Sequence, residues 1–163
     1  MQKIYLIGFM GSGKSTIGKA LARKLGKSYV DTDTFIEEKY GSIPEIFKNE
    51  GEETFRLYEI EALKATTTYD VISTGGGIVE KEENIQTMKK HGMIIYLHTS
   101  FKEISERLEL DENRPLWNQD HEEKQKLFER RIPLYKKCSD HIVSTDHKSI
   151  EEVVEEIIAF VNV

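Results

Sequence analysis

Gly8-Phe9-Met10-Gly11-Ser12-Gly13-Lys14-Ser15-Thr16 satisfies GxxxxGK[ST] at every fixed position, and its flanks supply the context that the pattern needs. Before it, Lys3–Phe9 is an apolar run that reads as a strand. After it, the segment from Gly13 to about Leu25 carries Ile17, Leu21 and Leu25 at helical spacing and stops at Gly26. Strand, glycine loop and helix in that order make a phosphate cradle. The glycines let successive N–H groups curl around phosphate oxygens, and the helix start adds its positive end. Gly11, Ser12, Gly13, Lys14, Ser15 and Thr16 are therefore assigned to a nucleoside triphosphate. Lys14 is expected to reach its β- and γ-phosphates, and the Ser15 hydroxyl to ligate Mg²⁺.

Working outward, four more apolar runs read as strands: Ser28–Asp33, Asp70–Thr74, Met93–His98 and His141–Thr145. Helix-period segments separate them. Such alternation predicts one α/β domain built on a mostly parallel sheet with helices on both faces. Ser149 with Glu152 is a capping-box pattern, followed by a core stripe of Ile150, Val153, Val154, Ile157, Ile158 and Val161. Ser100 with Glu103 repeats that start signal, and Ser42-Ile43-Pro44-Glu45 reads as another helix start. Thr34–Tyr69 is long enough for several helices. Leu110–Asn118 lacks a period and contains a proline, so it reads as a loop, either a functional lid or plain surface.

Phosphate binding alone does not define a reaction. A GTPase would need NKxD and DxxG, and neither is present. The third strand ends in Gly75-Gly76-Gly77 and offers no acid for a metal. Strand two does, ending Tyr29-Val30-Asp31-Thr32-Asp33. In extended chain the two aspartates face the same side, about 6.6 Å apart. At that sheet edge Asp31 suits Mg²⁺, while Asp33 suits an acceptor hydroxyl, as contact or base. The competing reading has Asp33 or Thr34 capping a helix over Phe35–Tyr40.

The formal charge of −6 argues against nucleic acid or an anionic membrane as partner. The lone Cys138 points to a reducing compartment, and the short apolar start is unlike a membrane span or a secretory leader, so a cytoplasmic protein is expected. Among the basic residues only six are arginine: Arg23, Arg56, Arg107, Arg114, Arg130 and Arg131. Arginine gives planar two-point grips on carboxylate and phosphate, which lysine does not. The five histidines show no metal-ligand spacing.

Taken together, GFMGSGKST, DTDTFIE, GSIPEIFKNEGEETFR, STGGG, RPL and RIPLY, in this order and over nearly the whole chain, resemble shikimate kinase. The resemblance implies phosphorylation of the 3-hydroxyl of shikimate by ATP, on the way to chorismate and aromatic amino acids. It implies a three-layer P-loop NTPase fold with a five-stranded parallel sheet of order 2-3-1-4-5. A substrate-binding subdomain would span about 34–62 and a lid about 111–118. By match to the family's motifs, Asp33, Arg56, Gly76 with its neighbours Gly75 and Gly77, and Arg131 would contact shikimate, while Arg114 would reach the ATP phosphates from the lid. Lys14, Asp33 and Arg114 would be the catalytic set, with Ser15 and Asp31 on Mg²⁺. Arg107 would stack on adenine or form a helix-surface salt bridge, and Lys148 stands where many members carry an adenine-side arginine. A monomer is expected. The alternative is another small-metabolite kinase of the same architecture, such as a gluconate kinase.

Overall fold

The computed structural model describes residues 2–109 and 121–162 of the chain. Five strands, β1 (Lys3–Ile7), β2 (Tyr29–Asp31), β3 (Val71–Ser73), β4 (Gly92–His98) and β5 (His141–Ser144), form one parallel sheet of order β2-β3-β1-β4-β5. The helices are α1 (Lys14–Leu25), α2 (Thr32–Tyr40), α3 (Ile43–Glu50), α4 (Glu52–Ala65), α5 (Glu82–His91), α6 (Phe101–Glu109), α7 (His121–Cys138) and α8 (Ile150–Val161). A 3₁₀ turn, Ile78–Glu80, follows the glycine triplet.

The two-residue period of the central strands builds both cores. Tyr5 and Ile7 of β1, with Ile94 and Tyr96 of β4, face a cluster that includes Leu63, Met88, Phe128 and Tyr135. Ile4, Leu6, Ile95 and Leu97 face the opposite cluster, with Ile17 and Leu21 of α1 and Val153, Val154 and Ile157 of α8. Since both faces are covered, these strands read as unbroken apolar runs. A third, smaller core of Ile36, Ile46, Phe55 and Ala62 joins α2, α3 and α4.

Local signals place the ends. The Ser149 capping box forms, with Glu152 N–H donating to Ser149 Oγ at 3.1 Å and Ser149 N–H to Glu152 Oε1 at 3.3 Å. Ser42 accepts from Glu45 N–H and Ser100 accepts from Glu103 N–H. One member of the expected α8 stripe is misplaced: Ile150, the first residue of α8, is 48% exposed and lines the cleft described below. The second strand is also shorter than expected. It ends at Asp31, whose Oδ1 accepts the Asp33 N–H at 2.9 Å and caps α2. Asp31 and Asp33 thus do not share a strand face, and the cap is Asp31 rather than Asp33 or Thr34.

Candidate active site

All five strands point their C-terminal ends at one edge, where the loops after β1, β2 and β3 converge. Gly13, at φ +91°, is the N-cap of α1 and has no side chain to cap it, so the start of the helix, with its positive end, is not covered by a capping side chain. The Lys14 ammonium is buried inside the loop and donates to the carbonyls of Gly8 at 2.5 Å and Phe9 at 3.0 Å. Ser73 Oγ donates to the Lys14 carbonyl at 2.7 Å and Thr74 Oγ1 to the Leu6 carbonyl at 2.8 Å, which ties β3 to the loop and to β1.

Asp31 joins two parts of this edge. Its Oδ2 accepts the Ser15 hydroxyl while its Oδ1 caps α2. Among the described residues no three His, Cys, Asp or Glu side chains cluster as a metal cage. One hydroxyl beside one carboxylate suits Mg²⁺, which keeps several waters and takes its remaining ligands from phosphates.

Asp33, in the first turn of α2, has its Oδ1 buried with no hydrogen-bond partner among the described residues. Burial, then the like charges of Asp31 and Glu59, raise its carboxyl to about 7, while Lys14 pulls the other way. A Cβ on Gly75 would sit 2.7 Å from that Oδ1, and a Cβ on Gly77 would fall on the Arg56 guanidinium. The glycine triplet therefore keeps the floor low enough for charged side chains to meet over it.

Two arginines border the same space. Arg56 of α4 donates to Glu59 at 2.6 Å, one helical turn on, and lies against the Phe55 ring with its Cζ 5.5 Å from the centroid. Glu59 is buried, its Oε2 has no partner among the described residues, and burial lifts its carboxyl against the pull of Arg56 and Arg131. Arg131 of α7 is buried too, its Cζ 5.9 Å from the Phe9 centroid and its Nε 3.2 Å from Glu80. Phe55 itself is a core residue of the small α2–α4 cluster that also borders the cleft.

These groups line one cleft of about 1220 Å³, larger than most single-ligand pockets and wide enough for two substrates. Every described residue singled out from the sequence lies on it: Gly11–Thr16, Asp31, Asp33, Arg56, Gly75–Gly77, Arg107, Arg131 and Lys148. Arg107 holds both Glu103, at 2.8 Å, and the Gly11 carbonyl, at 2.9 Å. Lys148 pairs with Glu156 at 3.0 Å. Arg114 and the 111–118 stretch lie outside the described residues.

The shikimate kinase family model matches residues 10–162. The chain belongs to the shikimate kinase family. Its members are ATP-dependent phosphotransferases acting on an alcohol group of shikimate, and so is this chain. A shikimate kinase of Bacillus cytotoxicus is 47% identical over 165 residues, covering 99% of each chain. The structure of an Acinetobacter baumannii shikimate kinase in complex with shikimate superposes with a TM-score of 0.91 at 35% identity, over 99% of this chain and 93% of that one. A gluconokinase structure from Sinorhizobium meliloti shares the fold, with a TM-score of 0.63 at 16% identity over 97% of this chain and 90% of that one. That likeness extends to the fold alone.

Several residues that shape this shikimate kinase cleft escape a reading by motif. Glu59 carries a weak signal, an acid three residues after an arginine on a helix. Glu80 has none, since its partners Arg130 and Arg131 are fifty residues away in sequence. Tyr135 does belong to the RIPLY motif, but nothing in the sequence shows that its hydroxyl donates to the Gly76 carbonyl, at 2.6 Å. Among the described residues no helix is long and apolar enough to cross a membrane.

Proposed function

We propose that this cleft transfers the γ-phosphoryl group of ATP to the 3-hydroxyl of shikimate, with Asp33 as the residue that receives the hydroxyl proton. The observation that carries the reading is the buried Asp33 Oδ1, without a hydrogen-bond partner among the described residues, beside Gly75 of the glycine triplet and on the same cleft as the phosphate loop, Arg56 and Arg131. A lone acceptor at that place takes a hydrogen bond from a substrate hydroxyl, and a carboxyl lifted to about 7 is matched to accepting a proton near neutral pH. Arg56 and Arg131 grip the substrate carboxylate as charge-assisted donors, and the backbone of Gly75–Gly77 lies close under the ring.

In the transfer the hydroxyl oxygen forms a bond to the γ-phosphorus as the bond from that phosphorus to the β–γ bridging oxygen breaks. ADP leaves with that oxygen, and the hydroxyl proton passes to Asp33. Lys14, now hydrogen-bonded to loop carbonyls, exchanges them for phosphate oxygens and helps carry the developing charge. Mg²⁺, when bound, neutralises phosphate charge, and Ser15 and Asp31 are the side chains that would hold it. Gly11–Thr16 bind the phosphates. Arg107 and Lys148 border the nucleotide end of the cleft, and Arg114 is assigned the phosphate contact from a lid over 111–118. The small core of α2, α3 and α4 supports reading about 34–62 as the substrate-binding part of one domain. We assign the enzyme to the cytoplasm on its single buried cysteine, and read it as a monomer because large exposed apolar side chains are few among the described residues.

ADP release is measured with shikimate, quinate, gluconate and nucleosides under Mg-ATP. Turnover dependent on shikimate is expected. Activity on gluconate with none on shikimate would overturn the assignment.

A further inference from the structure

We propose that Glu80, braced by Arg130, is the positioning residue that sets Arg131 for the substrate carboxylate; this rests on the reading of Arg131 given above. Glu80 ends the 3₁₀ turn that leaves the glycine triplet. Arg130 forks onto it, NH1 to Oε1 at 3.0 Å and NH2 to Oε2 at 2.6 Å. A two-point grip of this kind fixes the plane of the carboxylate. The same Oε2 accepts Arg131 Nε at 3.2 Å. Because a guanidinium is planar and rigid, holding Nε sets where its terminal nitrogens lie. NH1 then falls 3.5 Å from the Cβ position of Gly76, beside the floor of the cleft.

The charges support the same role. Arg131 with Glu80 alone would be a neutral pair and a weak anchor for an anion. Arg130 makes the group of three net positive while remaining outside the cleft, its side chain 59% exposed. Burial alone would raise the Glu80 carboxyl, but the hydrogen bond from Arg130 and the charges of Arg131 and Arg130 hold it below the usual range. The arrangement parallels Arg56, whose guanidinium is held by Glu59 on its own helix. For Arg131 the carboxylate comes from the glycine-loop side, so α7 and the loop are locked to one another, with the Tyr135 hydroxyl on the Gly76 carbonyl as a second tie.

Removing Glu80 adds net positive charge near the substrate carboxylate. A purely electrostatic role for Glu80 therefore predicts a lower KM for shikimate, and a positioning role predicts a higher one. Steady-state kinetics on Glu80→Ala, Glu80→Gln, Arg130→Ala, Arg131→Ala and the double variant Glu80→Ala/Arg131→Ala separate the two. Glu80→Ala should raise KM for shikimate about tenfold, with kcat and KM for ATP within about twofold of the parent. Glu80→Gln, whose amide oxygen still accepts from Nε, should return that KM to within about twofold. Arg130→Ala should raise it about threefold. With Arg131 already removed, Glu80→Ala should add no further loss. An unchanged or lowered KM for shikimate in Glu80→Ala, or an equal loss in the Arg131→Ala background, would overturn the proposal. If Arg131→Ala leaves the KM for shikimate unmoved, the underlying assignment of Arg131 fails instead. Should Glu80→Ala not fold, Arg130→Ala decides, and no change in its KM for shikimate rejects the brace.

Discussion

Replacing Asp33 by Asn should stabilise this enzyme while removing most of its turnover. The carboxyl is lifted from 3.8 to about 7, first by burial and then by the charges of Asp31 and Glu59. Between about pH 4 and about pH 7 the folded state holds this proton more tightly than the unfolded chain does. Folded molecules then bind more protons than unfolded ones, so stability falls as pH rises through that window and levels off above it. A rise of about 3 pH units corresponds to about 4 kcal/mol. The side chain is half-buried, so solvent screens part of this and leaves about 2 kcal/mol. Asn occupies the same volume without the charge. For a chain of this length the expected gain at pH 8 is about 4–8 °C in Tm. By pH 5 the parent carboxyl is mostly protonated in the folded state, and the gap should narrow to about 2–3 °C. Thermal melts of parent and variant at pH 5, 6, 7 and 8 give the difference, with titrating groups remote from Asp33 cancelling. ADP release on the same samples should show a loss of about 10²–10⁴-fold at saturating shikimate. A variant that melts no higher than the parent at pH 8, a gap independent of pH, or a variant with parental turnover would refute the account of Asp33.

Gly77→Ala should raise KM for shikimate well above any change in KM for ATP, because its Cβ falls on the Arg56 guanidinium; overpacking there should also cost about 1–3 kcal/mol in a denaturant melt. Ser15→Ala should raise the Mg²⁺ concentration for half-maximal turnover about tenfold, read by a Mg²⁺ titration at fixed ATP. Ser149→Ala removes the acceptor of the α8 capping box and should lower Tm by about 2–4 °C, read by calorimetry.

The parts of this protein that were legible in its sequence share one property: their physics is local. The glycine loop needs backbone angles that few residues adopt, as at Gly13, so its pattern betrays the phosphate cradle. The Ser149 box closes over three residues, so it too is visible. The strands of β1 and β4 announce themselves because burial on both faces demands unbroken apolar runs. Asp31 and Asp33 were visible as a pair, yet their geometry was not. Extended chain and an Asp cap compete for the same three residues, and the helix start at Thr32 prevails because Asp31 satisfies the Asp33 N–H that would otherwise be left open.

The sequence by itself therefore determined the fold class, the nucleotide cradle and, through the order of its motifs, the family. Tertiary structure decided the electrostatics of the cleft. It buried Oδ1 of Asp33 and set that carboxylate near two like charges, gave Arg56 the buried Glu59 as a partner, and brought Glu80 across fifty residues to the paired arginines of α7. Pairings of that kind depend on distance in space and on the exclusion of water. Neither is encoded in spacing along the chain, so they exist only once the sheet has carried its loops to one edge.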